Sequence, residues 1–226
     1  PDLYDATERS SGIGAFGLMS GGAWGNKQGE YGGATPVHLM AWSKYKSDGS
    51  LCYKDILSLD GTENTANYNG VVFELPDNIS SNTSSVALYH TTHTNFNTKI
   101  INISGKTKEY FMLENIGHDG YQAGLDYLLG GNDNTSGIAI WHIDDNQSNN
   151  GADVNHKLVD LEEAAEAGMD NSSHSGKQTN LFFSGNKTEF SDSTDPNSKT
   201  YSGTSSGITI DNISAAGDSM TFDITF

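Results

Sequence analysis

Met220-Thr221-Phe222-Asp223-Ile224-Thr225-Phe226 alternates apolar and polar side chains, and Ile208-Thr209-Ile210 does the same upstream. Successive strand side chains point to opposite faces, so this alternation predicts strands with one wet face. Working back along the chain, short apolar runs between polar turns predict further strands. They cover 51–59, 70–75, 85–90, 98–103, 109–115, 137–143, 180–183, 207–213 and 219–226. The run from Leu158 to Ala167 reads both ways, because its Ala and Glu favour a helix while Leu158-Val159-Asp160-Leu161 suits a strand. Many short strands punctuated by Gly, Asn and Asp predict an antiparallel sandwich.

The first 33 residues differ. They are glycine-rich, with Tyr4, Phe16, Trp24 and Tyr31 at intervals, which predicts loop wound tightly on itself. Thr35-Pro36 then reads as an N-cap and first helical residue, with Val37, Leu39, Met40 and Trp42 carrying a helix to about Tyr45. Ser47-Asp48-Gly49-Ser50 ends it. The expected fold class is α+β and β-rich: a loop plus one helix over residues 1–48, followed by an antiparallel β-sandwich-like extension over 49–226. No internal repeat is evident.

The chain has 226 residues, with 12 Lys and Arg against 29 Asp and Glu, a net charge of −17. A pI near 4.5 argues against nucleic acid, because few cations are present to replace phosphate counterions. It also argues against an anionic membrane surface. No apolar run approaches the roughly 18 residues of a spanning helix, so no membrane insertion is expected. The single cysteine, Cys52, excludes an internal disulfide. An acidic chain rich in Asn, Ser, Thr and Gly is expected to be a secreted or cell-surface bacterial protein. It opens at Pro1 without Met, which is read as a start from which a preceding segment has been cut.

Gly17-Leu18-Met19-Ser20-Gly21-Gly22-Ala23-Trp24 resembles the Met-turn of metzincin-type zinc peptidases, where a methionine forms an apolar floor under the metal. Pro1-Asp2-Leu3-Tyr4-Asp5 resembles the end of the zinc helix in the immune inhibitor A-like (M6) zinc metallopeptidase family. There H-E-x-x-H-x-x-G-x-x-D runs into a sequence such as L-P-D-L-Y-D. Four more segments resemble that family in order: Gly33 to Lys44, Glu109 to Asn115, Gly137 to Asp144, and His156 through Val159-Asp160-Leu161-Glu162-Glu163-Ala164. The resemblance implies the C-terminal portion of such an enzyme, with residues 1–48 closing its catalytic domain.

H-E-x-x-H itself is absent, and His90-Thr91-Thr92-His93 has the wrong spacing. The resemblance places the motif immediately before Pro1, with Asp2 as the third zinc ligand and Met19 as the Met-turn residue. One carboxylate does not hold zinc, so the chain alone is expected to be inactive. In the full-length parent, zinc and the motif's Glu would hydrolyse a protein or peptide substrate.

Asp144, Asp145, Asn149 and Asp153 fall in a loop dense with oxygen donors, which suits calcium at about 6–8 oxygens. The same residues also suit a solvated loop of turn formers. Asp119, Asp126, Asp133, Asp192 and Asp195 are weaker candidates. His142, at the end of an apolar run, reads as a structural histidine, and Cys52 as a buried thiol. His38 is expected on the wetter side of the predicted helix. His118, His156 and His174, in polar loops, carry no signal, and the Asn-x-Ser/Thr triplets at Asn78, Asn102 and Asn212 are given no role. The alternative function is a non-catalytic, calcium-stabilised extracellular adhesin or glycan-binding module; a degenerate homologue kept for structure is a third. Substrate preference and oligomeric state are not legible.

Overall fold

The computed structural model describes residues 1–46, 71–75, 83–89, 97–117, 120–131 and 136–226. The candidate strand at 51–59, Cys52, the boundary near residue 48, His90, His93, His118, Asp119 and Asp133 lie outside them. The described strands are β1 (Val71–Leu75), β2 (Thr83–Tyr89), β3 (Asn97–Asn102), β4 (Glu109–Ile116), β5 (Gly137–Asp144), β6 (Val159–Leu161), β7 (Thr209–Asp211) and β8 (Ser219–Thr225). Two helices accompany them, α1 (Ala41–Lys46) and α2 (Ala123–Leu128). The class is therefore mixed α and β, with strands dominating.

One sheet has the order β1-β3-β4-β5-β6 and the other β2-β8-β7. All pairs are antiparallel except β1 with β3, which is parallel. This pair departs from the all-antiparallel expectation, since strand order depends on pairing between distant segments rather than on local pattern.

Every residue of β4 and β5 is buried, because the larger sheet is covered on both faces. On one face, Tyr110, Met112, Trp141 and Ile143 join Leu3, Ile13, Phe16, Met40 and Trp42. On the other, Phe111, Leu113, Ile138 and Ile140 meet Ile210, Met220, Phe222 and Ile224 of the smaller sheet. β8 shows the expected alternation: Met220, Phe222 and Ile224 are buried while Ser219 and Thr221 are exposed.

The helix begins at Ala41, five residues after Pro36. The amides ahead of it are taken by distant partners. Thr35 N–H donates to the Gly25 carbonyl (3.0 Å), Val37 N–H to the Gly22 carbonyl (3.0 Å), and His38 N–H to Gln122 Oε1 (2.8 Å). Ala41 N–H donates to buried Glu114 Oε2 at 2.8 Å, so the first turn starts where that carboxylate reaches it. Leu158 to Ala167 resolves as β6 followed by irregular chain, and 180–183 contributes only a bridge between Ile138 and Phe182.

Candidate functional site

The opening residues are stitched into the glycine-rich loop. Leu3 is fully buried; its N–H donates to the Met19 carbonyl (3.1 Å) and its carbonyl accepts from Ile13 N–H (3.0 Å). Gly12 is required here: at φ +59°, an added Cβ would lie 2.0 Å from the Leu3 carbonyl oxygen. The sequence therefore holds Leu3 against the turn that carries Met19, and places exposed Asp2 beside it.

Asp2 and Met19 line the same cavity of about 660 Å³, with Tyr4, Glu8, Trp24 and Ser175 among the walls. Met19 is 37% exposed and Trp24 68%, whereas Trp42 and Trp141 are buried. Of the two sequence-predicted zinc-site residues, both reach this cavity. Asp5, next in the segment, is buried and local: it accepts from Thr7 N–H (3.0 Å), Thr7 Oγ1 (2.7 Å) and Arg9 Nε (2.9 Å). The Arg9 bond leads these in holding its carboxyl far below the usual carboxylate range.

The four calcium candidates each engage protein atoms. Asp144 Oδ1 accepts from Asn146 N–H (2.9 Å), and its Oδ2 meets His156 Nε2 (2.7 Å). Asp145 accepts from Trp42 Nε1 (3.2 Å), Lys46 Nζ (2.5 Å) and the Tyr110 hydroxyl (3.1 Å). Asn149 Oδ1 accepts from Gly151 N–H (2.9 Å), and Asp153 Oδ1 from Asn155 N–H (2.9 Å). Among the described residues no three His, Cys, Asp or Glu side chains form a metal-holding group. Asp192 is likewise engaged, accepting from Ser206 and Gly207 N–H. Asp195 offers its carbonyl to Lys187, and Asp126 sits in α2.

The opposite face of the larger sheet carries a charged cluster that residue-by-residue reading missed. His142 is 3% exposed, with Nδ1 3.0 Å from Glu162 Oε1 and Nε2 3.2 Å from Glu109 Oε1. An ionised carboxylate only accepts, so this arrangement favours a proton on each ring nitrogen, the imidazolium form. Burial opposes that charge, but the bonds to Glu109 and Glu162 outweigh it and lift His142 to about 9. Burial likewise pushes Glu109 up, yet its bonds from His142, the Tyr201 N–H and Lys106 bring it to about 2. The Tyr201 ring stacks between His142 and His156, at centroid distances of 4.1 Å to each.

Close by, fully buried Lys157 Nζ is 2.6 Å from Asp160 Oδ1 and also binds Asp170. Burial would lower its pKa, but those two charges drive it up to about 12. Asp160 moves upward, chiefly through burial. His142, Asp160, Glu162 and Tyr201 line a second cavity of about 780 Å³. His142 and Glu162 lie in segments already singled out by resemblance, but their pairing is set by the register of β4, β5 and β6. His142 lies in β5, on the strand where the sequence places it, with both ring nitrogens engaged.

No model of a known protein family matches this chain, and no curated protein matches it. No helix among the described residues is long and apolar enough to cross a membrane.

Proposed function

We propose that this chain is the C-terminal part of a secreted zinc-dependent endopeptidase of the immune inhibitor A-like type, incomplete and inactive alone. The observation that carries the reading is the meeting of Asp2 and Met19 in one cavity, joined through the Leu3 N–H to Met19 carbonyl bond. A carboxylate oxygen and a methionine on a tight turn are the two parts that a zinc site of this design needs from the present residues. Asp2 would hold the metal and Met19 would floor it. The further ligands and the general base would come from residues ahead of Pro1.

Zinc, when bound, polarises the scissile carbonyl and activates water. The chain's own residues supply one ligand and the apolar floor, and the strand-rich remainder buttresses both from behind. A coding sequence with H-E-x-x-H just ahead of Pro1, and proteolysis by the longer protein that a chelator abolishes, are the expected results. Proteolysis by these 226 residues alone would contradict the reading.

Calcium belongs to the proposal only as a stabilising ion of the loop from Asp144 to Asp153, where the side-chain oxygens already accept protein donors. A rise in melting temperature in millimolar CaCl₂ is the expected sign of binding; an unchanged temperature removes calcium from the account.

A further inference from the structure

The loop that follows β5 holds the opening segment from behind. Asn150 is fully buried. Its Nδ2 donates to the Leu3 carbonyl (3.1 Å) and to the Val159 carbonyl (2.7 Å), while its Oδ1 accepts from Val159 N–H (3.0 Å). One side chain, 147 positions from Leu3 in sequence, thereby fastens residue 3 to β6. Arg9 makes a second tie: Nε donates to Asp5 Oδ2 (2.9 Å) and an Nη to the Gly151 carbonyl (2.7 Å). The two ties, at Leu3 and Asp5, bracket Tyr4 and begin one residue after Asp2. Asp2 and Tyr4 both line the cavity that Met19 lines.

We infer that Asn150 and Arg9 are positioning residues for Asp2, fixing the height of its carboxylate above the Met19 turn. The inference rests on the reading of Asp2 as a metal ligand, though the mechanical coupling does not need a metal. Leu3 is the joint: its N–H is bound to Met19 and its carbonyl to Asn150. Loosening the loop moves the residue beside Asp2 relative to the turn below. Asn150 and Gly151 of this loop thus brace the chain's opening segment.

The test uses the 226-residue chain, with amide hydrogen exchange at Leu3 and the NMR signal of the Met19 methyl group. In Arg9→Ala, the Leu3 amide is expected to exchange about tenfold faster or more and the Met19 methyl signal to shift, while Phe222 in β8 keeps its rate. The melting temperature should change little, since Arg9 is half exposed. Arg9→Lys, which keeps a donor to Asp5, should restore part of the protection. Asn150→Ala should give the larger local effect; should it unfold the chain, the Arg9 pair decides. Unchanged Leu3 exchange and an unmoved Met19 signal in Arg9→Ala overturn the inference, as does loss of protection spread equally to Phe222. No metal or substrate enters this experiment, so a failure of the peptidase reading leaves its result intact.

Discussion

The two faces of the larger sheet are built on opposite principles. Over the face that meets the glycine-rich loop, Met19 and Trp24 stand exposed and the Asp2 side chain is open to solvent. Behind the other, His142 and Lys157 are buried with every charge met by a partner. A saturated charge network is already committed to holding its own segments together. An exposed methionine on a constrained turn, beside a carboxylate, is available to something else. The comparison therefore gives the His142 side a stabilising role, while the chemistry proposed above falls on the Met19 side.

Mutation is expected to separate the two. His142→Ala leaves Glu109 and Glu162 without their shared cation and should cost about 3–5 kcal/mol in chemical denaturation. A loss below about 1 kcal/mol would make the network dispensable and break the contrast.

The pH dependence sharpens it. His142 is lifted from an ordinary 6.5 to about 9, so its contribution is complete below pH 6.5 and is lost as pH rises through 9. That contribution is on the order of 3 kcal/mol, at about 1.4 per pH unit. Denaturation midpoints should fall over this window, and His142→Ala should flatten the fall. Glu109, lowered to about 2, gives the mirror effect in acid: its part is present above 4.5 and is lost as pH falls through 2.

On the other face, Gly12→Ala forces a left-handed residue against the Leu3 carbonyl and should cost about 2 kcal/mol, with the Leu3 amide deprotected first in hydrogen exchange. Smallest of all, Met19→Ala and Asp2→Asn should each change stability by less than about 0.5 kcal/mol, since both side chains are exposed. A thermal shift equal to that of His142→Ala would show that Met19 is part of the core after all.

The sequence reveals these two regions unequally. β8 is legible because one of its faces is wet, and β4 and β5 because their apolar runs are continuous. The helix start is displaced because Gly22, Gly25 and Gln122 claim the amides from 35 to 38, partners that no local signal announces. That Asp2 and Met19 line one cavity has no local signal in the sequence, since it depends on the Leu3 to Met19 backbone bond. The His142 cluster has none either, because Glu109 lies 33 residues away and Glu162 20, and only sheet register brings them together. Acidic loop residues such as Asp144 and Asp145 look like ion ligands in sequence, and their protein partners His156, Lys46 and Trp42 are announced by no local pattern.

The most direct measurement is proteolysis by the protein extended through the residues encoded ahead of Pro1, with and without a zinc chelator, in the native sequence and in Asp2→Asn. The account predicts cleavage that the chelator abolishes, that added zinc restores, and that Asp2→Asn weakens together with zinc affinity. Cleavage indifferent to the chelator, or zinc binding unchanged in Asp2→Asn, would contradict it.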